Sequence, residues 1–287
     1  MAERRIEIPL SEGSCDAVIC YPDGTGEWPG VVFFTDIGGV RAANIDLAKR
    51  LAAQGYSVLI PNVFYRTAQT PLTPLRSLGE EAQKKRMAEL TQPLTPEAME
   101  RDASAYVDFL AGQDSLQSGM MGVVGYCFTG KMAMHAAAAR SEKVTAMASF
   151  HGGGLYTDTP ASPHLLLPRI KARLYFAHAT KDRSMPEEAI AKLEAALKAG
   201  AAAMKAKLMK THFTAGQPRT VRSTTRRRPS ARSRSWSRCL RKRCSRNSAA
   251  RHEDLESVFS SSASHSSASS LVLNVGRSRW ENDLRCS

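Results

Sequence analysis

No stretch of this sequence approaches the ~18–20 continuous apolar residues of a membrane-spanning helix, so a membrane is not expected as a partner. The opening MAERRIEIPL carries no apolar h-region. A secretory leader is therefore not expected, and the expected location is the cytoplasm, where thiols stay reduced. Metal-type cysteine spacing is missing too. The six cysteines fall at 15, 20, 127, 239, 244 and 286, and Cys239 and Cys244 have no His/Cys set nearby. No metal and no cofactor are expected. Acidic residues are scarce in one region only. Residues 213–287 hold 16 Lys/Arg and 5 Asp/Glu, net +11; subtracted from the chain's 40 and 27, this leaves 24 and 22, net +2, for residues 1–212. A basic balance of +13 suggests a nucleic-acid binder, but the charge belongs to the tail. Nucleic acid is accordingly not the expected partner of the folded part.

What is present over residues 1–212 is an alternation of apolar runs and amphipathic stretches. RRIEIPL and CDAVICYP read as early strands of a hairpin or edge. WPGVVFFTDIGG is a buried strand with a glycine-bearing loop, and RAANIDLAKRLAAQG is a helix with Leu47, Ala48 and Leu51 on one face and Gly55 past its end. YSVLIPNVF, GMMGVVGY, VTAMASFHG and KARLYFAHA read as strands; EAMERDASAYVDFLAG, GKMAMHAAAAR and PEEAIAKLEAALKAG read as helices. Residues 67–100, rich in Pro, Thr and Leu, form a long excursion able to cap a site. The expected fold is α/β, a mostly parallel sheet with helices on both faces. After about residue 200 the periodicity is lost, and residues 213–287 are expected to be a disordered Arg/Ser-rich tail.

The stretch GYCFTG places Cys127 where a strand turns into a helix. A nucleophile elbow has this layout: small residues flank the nucleophile so that the sharp turn can lift its side chain above the sheet, toward the positive end of the following helix. That positive end favours thiolate. The match to G-x-S-x-G is imperfect, with Gly125 at −2 but Thr129 at +2 and Gly130 one later. A buried, inert core cysteine is the alternative. The elbow fold orders its triad nucleophile, acid, histidine. Asp182, in FAHATKDRSMP, sits at the C-terminal end of a strand, where α/β sites collect; a loop-capping aspartate is its plainer reading. His212 follows in the right order, whereas His135 and His151 read as an ordinary helix residue and strand-end residue.

With PGVVFFTDIGGVR, GYSVLIPNVFYR, GVVGYCFTGKMA, SFHGGGL and AHATKDRSMP in view, the chain resembles the dienelactone hydrolase family of the α/β-hydrolase superfamily over about residues 5–200. The resemblance implies a cysteine-nucleophile hydrolase acting on a small-molecule lactone or ester. Cys127 would be the nucleophile and Asp182 the residue orienting the base; His212, next in chain order, is the candidate base, with a histidine of the shifted frame described below as the alternative. The backbone N–H groups of Phe128 and Ile37 would form the oxyanion hole. Asp36 falls where the family carries an acid, typically Glu, that interacts with the resting thiol. Arg66 matches an arginine that pairs with a substrate carboxylate, a role suited to a bidentate guanidinium; a solvated loop charge is its plainer reading.

The C-terminal part departs from the family, which expects a histidine, a short loop and an amphipathic helix. Codon degeneracy permits a second reading. One frame over, AGQPRTVRSTTRRRPSARSRSWSRCLRKR can encode WTAPDSPVYNQTQAERAFEKLVEVFAEAL, an acidic amphipathic helix, and a histidine can span Phe213 and Thr214. Two other functions stand against hydrolysis: a hydrolase fold that has lost catalysis with its histidine and last helix, and a nucleic-acid binder acting through the tail.

Overall fold

The computed structural model describes residues 1–114, 116–180, 182–199 and 206–214; residues 76, 117–120, 180 and 206–214 are described through their backbone alone. The tail expectation for residues 213–287 therefore lies outside the described residues except for its first two positions. An eight-stranded sheet is built from β1 (Ala2–Leu10), β2 (Gly13–Tyr21), β3 (Trp28–Phe34), β4 (Ser57–Pro61), β5 (Leu116–Tyr126), β6 (Val144–Phe150), β7 (Arg173–Thr180) and β8 (Ala206–Thr214). Their order across the sheet is β1-β2-β4-β3-β5-β6-β7-β8. The β1–β2 and β2–β4 pairs are antiparallel; every pair from β4–β3 to β7–β8 is parallel. The expected mostly parallel α/β sheet is thus present.

The central strands are continuous apolar runs because both faces are covered. From Val31 to Phe34, β3 is buried throughout, as is all of β4. The helices are α1 (Ala42–Ala52), α2 (Glu80–Thr91), α3 (Pro96–Ala111), α4 (Gly130–Ala139) and α5 (Glu187–Ala199). Thr95 starts α3: its side chain accepts from the Ala98 N–H at 3.2 Å, and Pro96 occupies the first turn, where a missing N–H costs nothing. The buried stripe Met99, Ala103, Tyr106, Val107 and Leu110 then faces the core at helical spacing. In α4 nearly every side chain is buried, since α3 packs over it and the sheet lies beneath.

Two readings needed adjustment. Half of the 67–100 excursion is helical, with α2 burying only Leu90 and α3 beginning at Pro96. Its Leu72 nevertheless reaches the loop after β3: a methyl on Gly39, where φ is +65°, would stand 2.6 Å from Leu72 Cδ1. The other adjustment is β8, a strand where periodicity had been lost. Lys207 and Lys210 interrupt its alternation, and β8 stands last in the order of the described strands. Among the described residues, no helix is long and apolar enough to cross a membrane.

Candidate active site

Four adjacent parallel strands, β3, β5, β6 and β7, each deliver a chemically capable residue just beyond their C-terminal ends: Asp36, Cys127, His151 and Asp182. Loop glycines draw these ends together. The Gly153 N–H donates to the Cys127 carbonyl at 3.3 Å, the Gly154 N–H to the Ser184 carbonyl at 2.8 Å, and the Ser184 N–H to Asp182 Oδ1 at 2.8 Å. Asp182 also accepts from Ser184 Oγ at 2.6 Å, so it organises its own loop while facing the site.

Cys127 has φ +57°, a left-handed conformation that costs an L-residue roughly 1–2 kcal/mol. The strain persists because its surroundings over-determine the turn. A methyl on Gly125 would overlap the Thr129 carbonyl and come within 2.8 Å of Gly130 Cα. A methyl on Gly130 would overlap Ser149 Oγ and stand 3.0 Å from Gly152 Cα. Thr129 is more than a tolerated substitute for the glycine of the usual pattern. Its hydroxyl accepts from the Tyr126 N–H at 3.1 Å and lies 3.0 Å from the carbonyls of Phe34 and Tyr126, donating to one of them. One buried side chain thus lies between the end of β5 and the end of β3.

Burial pushes the Cys127 thiol above its ordinary value, and the carboxylates of Asp36 and Asp182 push it the same way. Against them, the Phe128 N–H donates to the sulfur and favours thiolate. The sequence suggested that the helix end would favour thiolate; desolvation and two neighbouring negative charges outweigh it. Alkylation by iodoacetamide, read at the Cys127 peptide by mass spectrometry, should therefore be slow at pH 7 and still accelerating as pH rises through 9.0, the ordinary thiol value. A plateau near pH 7 would show a thiolate already formed. Cys15 and Cys20 are buried and pushed up to about 12 and about 11, so they should not compete.

The Asp36 carboxylate is opposed by burial, yet Arg41 grips it at 2.7 and 2.6 Å, Gly38 N–H donates at 2.8 Å, and together they hold it below the usual carboxylate range. Sequence reading missed this Arg41 clamp. It also passed over His151, whose φ is +41° and whose N–H donates to the Ala177 carbonyl at 2.6 Å. Burial lowers the His151 pKa, while Asp36 and Asp182 pull it upward. The available signal was positional: like Cys127 and Asp182, His151 ends a central parallel strand.

Ile37 follows Asp36 in the loop after β3, and Phe128 follows Cys127 in the short turn that leads into α4. His212 lies in β8 beyond the paired Thr211, where the register against β7 shifts; its side chain lies outside the described residues. Arg66 is held elsewhere. Its two terminal nitrogens donate to Asp102 at 2.6 and 2.9 Å and its Nε to Glu12. Asp102 is 1% exposed, and Arg101 also contacts Glu12. A substrate carboxylate would have to compete with that network.

The chain is similar to known proteins of one family. The family model described as the dienelactone hydrolase family matches residues 15–241. A carboxymethylenebutenolidase of Rhodococcus opacus is 32% identical over 142 residues, 49% of this chain and 51% of that protein. One of Pseudomonas putida is 29% identical over 171 residues, 59% of this chain and 70% of that protein. A dienelactone hydrolase-like promiscuous phosphotriesterase from metagenomic libraries superposes with a TM-score of 0.59 at 18% identity, covering 73% of this chain and 80% of the other. A crystal structure assigned to the dienelactone hydrolases, from Klebsiella pneumoniae, gives a TM-score of 0.62 at 20% identity over 72% and 85%. A match over most of the sequence, an eight-stranded sheet of this order and a cysteine at the strained elbow lead to one conclusion: the chain belongs to the dienelactone hydrolase family.

Proposed function

We propose that this chain hydrolyses a small lactone or ester by nucleophilic catalysis at Cys127. The observation that carries the reading is the strained φ of +57° at Cys127 with the Phe128 N–H on its sulfur. A histidine base, His212, takes the thiol proton, and Asp182 holds the resulting imidazolium. The sulfur attacks the carbonyl carbon, and the carbonyl π pair moves onto oxygen, where the N–H groups of Phe128 and Ile37 receive it. Collapse expels the alkoxide, which takes the proton back from the imidazolium; in a lactone it stays tethered to the acyl group. Water then gives a proton to the imidazole and attacks the thioester, releasing the carboxylic acid and the thiol. Burial, with Asp36 and Asp182 in support, disfavours thiolate before substrate arrives, so attack and proton transfer are coupled.

The test is to trap the acyl-enzyme. The full chain is mixed with p-nitrophenyl acetate, quenched in acid within the first turnover, and mapped by mass spectrometry. An acetyl group on the Cys127 peptide supports the reading. Steady hydrolysis with the label elsewhere, or with none at any time, ends it.

A further inference from the structure

β1 pairs with β2 over all nine of its residues, from Ala2↔Tyr21 to Leu10↔Gly13, with no bulge. It stands first in the strand order, so its other edge has no partner among the described residues. Such an edge is a row of open N–H and C=O groups, able to pair with another chain. The hairpin fixes which groups are open. Ser11 and Glu12 form a two-residue turn, so Leu10 and Gly13 exchange both backbone hydrogen bonds. Direction alternates along a strand: Ile6, Ile8 and Leu10 bond inward to β2, while Glu3, Arg5, Glu7 and Pro9 turn their backbone groups outward. Pro9 has no N–H to leave open there, and an edge is where a strand tolerates proline. The side chains alternate as well. Ile8 is buried, and Ile6 and Leu10 pack against the core; Glu3, Arg5, Glu7 and Pro9 are exposed on the opposite face. On that face Glu3 reaches Lys49 of α1 at 2.6 Å, and Glu7 accepts from Ser14 Oγ at 2.5 Å. Arg5 has no acidic partner among the described residues.

We propose that β1 pairs antiparallel with β1 of a second copy of this chain, about a two-fold axis at Ile6, so that two eight-stranded sheets become one. Charge complementarity selects this partner and this register. With the axis at Ile6, Arg5 stands opposite Glu7 of the second copy, and Glu7 opposite its Arg5, on the same face of the sheet. Both residues turn their backbone groups outward, so each of these pairs exchanges two N–H···O bonds. Between them Ile6, half-buried in one chain, meets its own copy in the closer, non-hydrogen-bonded type of pair. The Glu3 N–H donates to the opposite Pro9 carbonyl, and the missing Pro9 N–H ends the ladder. This register also overlaps the whole strand, Ala2 with Leu10. Moving the axis one residue toward either end sets Arg5 or Glu7 against its own copy, and like charges directly opposite destabilise. Moving it to Arg4 restores opposite charges, Glu3 with Arg5, but overlaps only Ala2 to Ile6. An edge blunted by charge of one sign repels its own copy; this one matches it. The interface uses none of the residues at the ends of β3, β5, β6 and β7, so it stands apart from the hydrolytic reading.

The test follows the full chain by analytical ultracentrifugation over a roughly hundredfold range of micromolar concentration, where small interfaces associate. Sedimentation should pass reversibly from one copy to two and stop there, because each chain has a single β1. Arg5→Glu or Glu7→Arg alone sets like charges opposite each other in both pairs and should weaken association about tenfold or more, with circular dichroism unchanged. Mixing the two variants restores opposite charges in both pairs, so the mixture should associate as the unmodified chain does. A chain carrying both substitutions should do the same. Amide hydrogen exchange locates the contact: with rising concentration, exchange at Arg5 and Glu7 should slow, while exchange at Ile6, already bonded to β2, should change little. A single copy at every concentration, association indifferent to either charge reversal, a mixture no tighter than its two components alone, or growth beyond two copies would overturn the proposal.

Discussion

Replacing Cys127 by alanine should reduce ester or lactone hydrolysis by a factor on the order of 10⁴–10⁶, the scale seen when a triad nucleophile is removed, with the fold intact. The size follows from the mechanism. Without sulfur there is no covalent intermediate, and what remains is the polarising effect of Phe128 and Ile37 on a bound carbonyl. Serine should recover little, because an alcohol needs a stronger base than a thiol does and the pocket disfavours charge on this atom. A third variant separates function from strain. Alanine keeps the Cβ that φ +57° penalises; glycine does not. Cys127→Gly should therefore be as inactive as Cys127→Ala yet more stable than it by about 1 kcal/mol in denaturant unfolding. Full hydrolysis by the alanine protein would remove Cys127 from the chemistry.

The second large effect is expected at Arg66. Arg66→Ala would strand Asp102, which is 1% exposed and, among the described residues, would keep the Tyr65 hydroxyl at 3.4 Å as its side-chain partner. Breaking a buried pair by removing one partner costs about 3–5 kcal/mol, because a charge is left without compensation in a poor solvent. Urea unfolding of Arg66→Ala should show a loss of that size, and Asp102→Asn in the same background should return part of it by removing the stranded charge. The family resemblance gives Arg66 a substrate carboxylate, which predicts the opposite pattern: unchanged stability and a selective loss of carboxylate-bearing substrates against neutral esters. One variant measured in both ways decides between the two.

The sheet was legible because its central strands are fully buried. β3 from Gly30 to Phe34 and all of β4 are buried, and both read as short continuous apolar runs of strand length. The places of Cys127 and Asp182 just past the ends of β5 and β7 were legible because a strand–turn–helix and a strand end each impose a local pattern. Arg41's grip on Asp36 and Arg66's on Asp102 were not, since the first depends on how one loop folds back and the second joins residues 36 apart through tertiary packing. His151 was passed over because a lone histidine after a strand carries no spacing signal. β8 was hidden by its lysines, which spoil an alternation. The readings of the Arg-rich region, including the shifted frame, concern residues outside those described; sequencing the coding DNA across codons 198–216 decides the frame.

Glu12 sits at the tip of the hairpin joining β1 to β2, yet its partners are Arg66 and Arg101, the latter 89 residues further along. A chain made from its N-terminus exposes the hairpin first. At the usual synthesis rate of about 5–20 residues per second, roughly 4–18 seconds separate the appearance of Glu12 from that of Arg101. During that interval β2 also lacks β4, its antiparallel neighbour in the finished sheet, for part of the time. A lone two-stranded hairpin is at best marginally stable in water. The tip of this hairpin thus gains its ion-pair partners well after its own strands are made, once Arg66 and then Arg101 have followed.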